Sequence, residues 1–322
     1  MRITQLLFCL IFIFAMLREA TAQKISLRKD TLAKEIRVFI ASKLFTSFCY
    51  SDTLTKPILY PVYDADGTTI TRGFPFQPRP GEPTDHPHHQ GIWFNYENVN
   101  GIDFWNNSYA IPAAKKNLYG SIKTESISTA TQSKAAVISY TASWNDINKQ
   151  ALLKENTTLK FSAKNNIRII DRTTTLKAVT DVTFNDTKDG LIAMRVAHEL
   201  QIPVKGDTIA NGNYISSEGK AGDSVWSTRA AWCMLYGKIG GHVTSIILFD
   251  QNKNPGYPTY WHARGYGLFA ANPLGQKVFS NGKIALNLHL AKGESVTFRY
   301  RIVIATADKE LSRDQIEQLS NF

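Results

Sequence analysis

Three of the seven histidines in this 322-residue chain fall within four positions, in the run Asp85-His86-Pro87-His88-His89-Gln90-Gly91. Imidazole exchanges its proton near neutral pH and is the commonest metal-binding side chain. On an extended backbone His86 and His88 would share one face and His89 would point the other way. Two imidazoles on one side can hold a divalent metal, or grip a polar substrate while one works as general base. Asp85 is placed to orient a histidine by accepting its second N–H. The plainer alternative is a polar cluster tied to loop backbone, although burying three imidazoles for packing alone is costly.

A second run follows at Asn98-Val99-Asn100-Gly101-Ile102-Asp103-Phe104-Trp105. Asn100-Gly101 is a tight-turn pair, after which Asp103 and Trp105 would project to one side of a strand. An indole face beside amide and carboxylate groups suits a sugar, whose ring has apolar C–H faces and a polar rim. Trp93 is the other candidate platform. An ordinary hairpin with a core tryptophan fits the same residues.

The third run, Tyr257 to Gly267, alternates His262, Arg264 and Tyr266, which an extended chain would put on one face. They supply a titratable group, a fixed cation and a phenol, a set able to stabilise developing oxyanion charge. A buried strand with a salt-bridged Arg264 is the structural alternative. The expected catalytic set is thus His88 or His89 as base, His262 as acid partner, and Arg264 with Tyr266 as stabilisers. Asp85, His86, Trp93, Asn100, Asp103, Trp105 and Arg195 are the expected substrate contacts. His86, His88 and His262 form the alternative metal set, and nothing in the sequence requires a cofactor. His198-Glu199 is not a zinc-protease motif, because position 202 is isoleucine. No GxSxG, Walker or GxGxxG motif appears, which argues against an ordinary serine hydrolase, phosphoryl transfer or a Rossmann cofactor.

The elements that must carry these residues read as strands. Candidates are Lys24–Arg28, Glu35–Ile40, Ile58–Tyr63, Ser121–Ser128, Ala135–Trp144, Leu152–Ser162, Ile167–Ala178, Leu191–Ile202, Thr244–Phe249, Lys283–Leu290 and Ser295–Ile304. Thr157–Phe161 and Ser295–Arg301 alternate polar with apolar side chains, as a sheet with one wet face requires. Only Asp308 to Leu319 reads as helical. Many strands with few helices predict an all-β fold, a large antiparallel β-sandwich. Prolines 75, 78, 80, 83 and 87 stiffen the segment that presents the histidines. No linker or repeat divides residues 23–322, which read as one domain.

Residues 1–22 read as a secretory signal peptide, with Arg2, an apolar Leu6–Leu17 and the Ala20-Thr21-Ala22 cleavage pattern. The expected destination is periplasmic or extracellular, with no membrane span after cleavage. Export would permit one disulfide between Cys49 and Cys233, which spacing does not decide. Lys and Arg total 37 against 27 Asp and Glu, but the basic residues are scattered, so nucleic acid is a poor partner. The oligomeric state cannot be read.

The runs DHPHHQGIWF (85–94), NVNGIDFW (98–105) and TYWHARGYGLFAANPLG (259–275), with the earlier KPILYPVYDADGTTITRGFPF (56–76), resemble the PmoA-like family of exported bacterial proteins. Gln90 stands where that pattern has arginine and Gly265 where it has an acidic residue, so no aspartate beside Arg264 is available to take part. Members often carry the name methane oxygenase PmoA. A genuine particulate methane oxygenase subunit needs apolar spans of about 20 residues, and this chain has none outside its leader. The order of motifs is also similar to galactose-mutarotase-like supersandwiches. That likeness implies loop histidines, an arginine and carboxylates gathered over a concave sheet. The expected function is an exported carbohydrate-active enzyme, an epimerase, lyase or hydrolase acting on a small sugar or oligosaccharide. A non-catalytic carbohydrate-binding or envelope protein and a histidine-ligated metalloprotein are the alternatives.

Overall fold

Alternating side chains give most of the strands one dry face and one wet face, and two such sheets close over each other. The computed structural model describes residues 23–132 and 134–322. The expected signal peptide lies outside the described residues. Eighteen strands form among them, beginning with β1 (Ile25–Asp30), β2 (Glu35–Ile40), β3 (Lys43–Cys49), β4 (Ile58–Val62) and β5 (Ile92–Tyr96). Four long strands follow: β6 (Ser121–Gln132), β7 (Ala135–Asn145), β8 (Ala151–Lys164) and β9 (Ile167–Ala178). Next come β10 (Val182–Phe184), β11 (Gly190–Arg195), β12 (Asn213–Ser216), β13 (Trp232–Ile239) and β14 (His242–Asp250). The last are β15 (Tyr260–Arg264), β16 (Leu268–Asn272), β17 (Leu288–Leu290) and β18 (Ser295–Ala307).

One eight-stranded sheet runs β1-β2-β3-β4-β5-β11-β16-β15, and the other runs β12-β13-β14-β18-β9-β8-β7-β6. β10 and β17 make a separate ribbon. The paired strands are antiparallel, so the expected all-β antiparallel sandwich is the fold that forms. Phe94, Ile192 and Phe269 of the first sheet enter one apolar core with Leu159, Ile170 and Ile304 of the second. β8 shows the logic in its burial. Leu153, Glu155, Thr157, Leu159 and Phe161 are buried, while Lys154, Asn156, Thr158 and Lys160 are exposed. The buried Glu155 is tolerated because Tyr140, Trp144, Thr157 and Arg172 all donate to its carboxylate.

Several boundaries differ from expectation. The expected strand Leu191–Ile202 stops at Arg195, where the chain turns into a short 3₁₀ segment at His198–Leu200. Lys283–Leu290 contributes only three strand residues. The C-terminal helix shortens to Arg313–Glu317, started by a Ser312–Gln315 capping box. β13 was not expected, because Trp232-Cys233-Met234-Leu235 is apolar throughout and carries no period-two signal. Cys49 and Cys233 are both free thiols. Cys49 bonds to the Tyr60 carbonyl, whereas Cys233 is buried in the core on β13. Among the described residues no helix is long and apolar enough to cross a membrane.

Candidate active site

The site is laid out by register on the outward face of the first sheet. His262 on β15 pairs with Ala270 on β16, Ala270 with Ala193 on β11, and Ala193 with Trp93 on β5. One row along, Leu268 lies between Arg264 and Arg195. Alternation sends Ala263, Phe269, Ile192 and Phe94 into the core, leaving the first set on the opposite face. Two alanines between His262 and Trp93 leave room above the sheet.

The histidine loop occupies that side. Its backbone is bent, not extended: His86 has φ of +46° and the His89 amide bonds back to the His86 carbonyl. The expected division, His86 and His88 on one face and His89 on the other, is therefore corrected. All three rings cluster, with centroids 4.4 to 5.6 Å apart. Two cations that sequence reasoning missed hold the bend. Arg72 donates to the carbonyls of Pro83, Asp85, His86 and His89 and to the Asp85 carboxylate. Lys56 donates to the His88 carbonyl. A lone arginine or lysine carries no local signal for such a role.

Four rings then stack in series. Trp93 lies 5.2 Å from His89, His89 4.7 Å from His86, and His86 5.4 Å from Tyr266. The third sequence run thus meets the first. Arg195 lies 4.7 Å over the Tyr266 ring and donates to His89 Nδ1 and to Asp85. The same carboxylate is 2.6 Å from His86 Nδ1. Partial burial opposes ionisation of Asp85, but Arg195, His86 and Arg72 outweigh it and hold the pKa below its ordinary value.

These bonds fix proton positions. Guanidinium only donates, so His89 Nδ1 accepts and the neutral ring carries its proton on Nε2. His262 Nδ1 is 2.9 Å from the Lys188 carbonyl, which only accepts, so the proton sits there and Nε2 keeps a lone pair. Burial pushes His88 down to about 2 and His262 down to about 3, with Lys56 and Lys188 adding to the effect. Burial and His88 hold His89 well below its ordinary value. All three are neutral at pH 7. The geometry reverses the expected roles: His262 presents the basic nitrogen, whereas His89 presents a donor.

Carboxylates complete the site, and two of them, Glu97 and Asp189, were missed. Glu97 follows β5 and bonds through its amide to the Asp189 carbonyl. Burial, then the charges of Asp189 and Asp103, push its pKa up to about 7. Asp189 lies 3.4 Å from His262 Nδ1 and pairs with Lys188. Asp103 does not project from a strand; its carboxylate caps the amides of Trp105 and Asn106. Trp105 and Trp93 are 0% and 1% exposed and pack edge to face, so neither offers the expected sugar platform. The half-buried indole is Trp226, edge-on to His262 and beneath Arg264. Asn100 sits at a positive-φ turn and spends its amide on Asp181 and Thr183, away from the histidines. Arg264 makes no salt bridge among the described residues. His86 and His89 stack in parallel, and no three His, Cys, Asp or Glu side chains among the described residues are grouped to hold a metal ion. The expected His86, His88 and His262 metal set is not assembled.

Two packed antiparallel sheets with a polar site on one outer face define an all-β sandwich protein. Over residues 35–321 the chain matches the model of the Family of unknown function (DUF6807), and it belongs to that family. No curated protein matches it. It is similar to the GH36 alpha-galactosidase AgaB from Geobacillus stearothermophilus, with TM-score 0.41 and 10% identity over 88% of this chain. The chain spans 41% of that protein's length. It is also similar to galactose 1-epimerase from Lactobacillus acidophilus NCFM, with TM-score 0.40 and 8% identity over 90% of this chain and 100% of the other. A galactose mutarotase related enzyme from Lactobacillus acidophilus matches with TM-score 0.34 and 7% identity over 89% of this chain and 99% of its own.

Proposed function

We propose that this protein is an exported carbohydrate-active enzyme that transfers protons on a sugar or glycoside. The observation that carries the reading is a set of buried neutral imidazoles with opposite free valences, together with a carboxylic acid, Glu97, that titrates near neutrality and feels the charge of the Asp189 lying against His262. His262 Nε2 takes a proton from a sugar hydroxyl or an activated carbon. Glu97, with a pKa of about 7, retains enough protonated form at neutral pH to donate to a ring or glycosidic oxygen. The His89 Nε2–H and the Tyr266 hydroxyl stabilise charge on oxygen as it develops. Epimerisation, elimination and hydrolysis all need this pairing. Export to the periplasm or beyond rests on the leader pattern of residues 1–22, and the PmoA-like resemblance fits the same reading.

The test is a panel of neutral and oxidised mono- and oligosaccharides with wild type, His262→Gln and Glu97→Gln. Each substitution lowers kcat by about 10²- to 10⁴-fold on whatever substrate turns over. Turnover that is indifferent to both substitutions overturns the assignment. Binding without turnover of any sugar makes this a carbohydrate-binding protein instead.

A further inference from the structure

Arg264, the last residue of β15, has its guanidinium 4.7 Å from the Trp226 ring centroid and 5.9 Å from that of Tyr266. Its planar fork is held by two aromatic rings and makes no hydrogen bond or ion pair with any described residue. It lines a cleft of about 440 Å³ that Trp226, Tyr266, Gln201 and Asp223 also line. Gln201 is buried, and its side-chain amide nitrogen has no acceptor. Two donor groups from one cleft wall therefore lack partners.

Arg72 and Arg195 are fully buried, share the Asp85 carboxylate and do not line the cleft. Lys188 is matched by Asp189, and Asp207 is bound by His198. Arg264 is the cation among the residues that line the cleft, and neither carboxylate there, Asp223 or Asp207, pairs with it. A planar guanidinium braced on aromatic rings is matched best by a planar carboxylate.

We infer that this cleft takes the carboxylate of an acidic sugar, so that the substrate is a uronic acid or an oligosaccharide containing one. The inference rests on the carbohydrate reading above and narrows it. Arg264 holds the carboxylate from its rigid fork, Asp223 on the cleft wall accepts sugar hydroxyls, and the ring extends toward His86 and His262.

Isothermal titration with galacturonate and glucuronate oligomers, their neutral counterparts and sulfated analogues decides the matter. Wild type binds a uronate oligomer at least about tenfold tighter than its neutral counterpart, and the preference shrinks with added salt. Arg264→Gln brings the ratio to about one, and Arg264→Lys restores it only in part because the fork is lost. A thermal melt of each variant confirms folding, which a half-exposed arginine without hydrogen bonds does not govern. Equal affinity for neutral and acidic sugars, preference for sulfate over carboxylate, or an intact preference in Arg264→Gln overturns the inference. Its failure is separable from that of the enzyme reading. Turnover of neutral sugars that depends on His262 leaves the acid–base site standing without acidic specificity. Binding of uronates through Arg264 with no turnover does the reverse.

Discussion

The imidazole of His86 lies parallel to the phenol ring of Tyr266, with 5.4 Å between centroids and 5° between planes. This contact joins a proline-stiffened loop after β4 to the turn between β15 and β16. Asp85 and Arg195 brace it from either side, since Asp85 bonds His86 and Arg195 covers Tyr266. The loop is thereby locked to the sheet that carries His262.

Removing the cation inside the loop should undo this lock. Arg72→Met takes the guanidinium from four backbone carbonyls, of which only that of His86 keeps another donor, the His89 amide, and leaves the Arg195–Asp85 pair without its second guanidinium. Loss of one member of such a buried set costs about 3–5 kcal/mol. Urea denaturation should show that loss, with faster amide exchange across residues 85–91. Arg72→Lys should recover little, because one ammonium cannot reach the same acceptors.

The ring protons are directly observable. Nitrogen-15 NMR at pH 7 should find His262 protonated on Nδ1 and His89 on Nε2. A proton on His89 Nδ1 would break the proposed Arg195 bond and return His89 to the role of base.

Acid should destabilise the fold well above the carboxylate range. The unfolded chain protonates His88, His89 and His262 near pH 6.5, while the folded chain holds His88 down to about 2, His262 down to about 3 and His89 well below its ordinary value. Stability therefore falls as pH drops below about 6.5, by about 1.4 kcal/mol per unit for each such imidazole. Asp250 opposes the trend. Burial raises its folded pKa to about 7, so between pH 4 and 7 it binds a proton that the unfolded chain releases. Half-exposed Glu97 acts in the same sense but more weakly, because solvent screens it. The net slope should be about 1.4–2.8 kcal/mol per pH unit between pH 6.5 and 4.5. Asp250→Asn should steepen it, as urea midpoints at stepped pH would reveal.

Trp105 should behave as core, not as a ligand contact. Its indole is fully buried against Trp93, so Trp105→Ala should cost about 3–5 kcal/mol. A variant with unchanged stability and only weakened sugar binding would restore the platform role that its sequence neighbours suggested.

The two-sheet architecture was legible because side-chain alternation is a local property, written within each strand. β8 and β18 display it openly. β13 and the short β16 hid it, since strands covered on both faces need no polar positions. The histidine run could be read as a site because three imidazoles in four positions are chemically conspicuous wherever they fold.

Which nitrogen bears a proton was beyond any local pattern. That is set by Arg195 for His89 and by the Lys188 carbonyl for His262, partners supplied by other strands and loops. Lys56, Arg72 and Glu97 were invisible for the same reason: a single charged residue acquires its pKa and its role only from what the fold packs around it. Residue type and spacing, then, determined that the chain is a β-sandwich bearing an imidazole cluster. Register and burial decided which of those groups is base, which is donor and which tryptophan lies at the cleft, because desolvation and hydrogen bonding act through space and not along the chain.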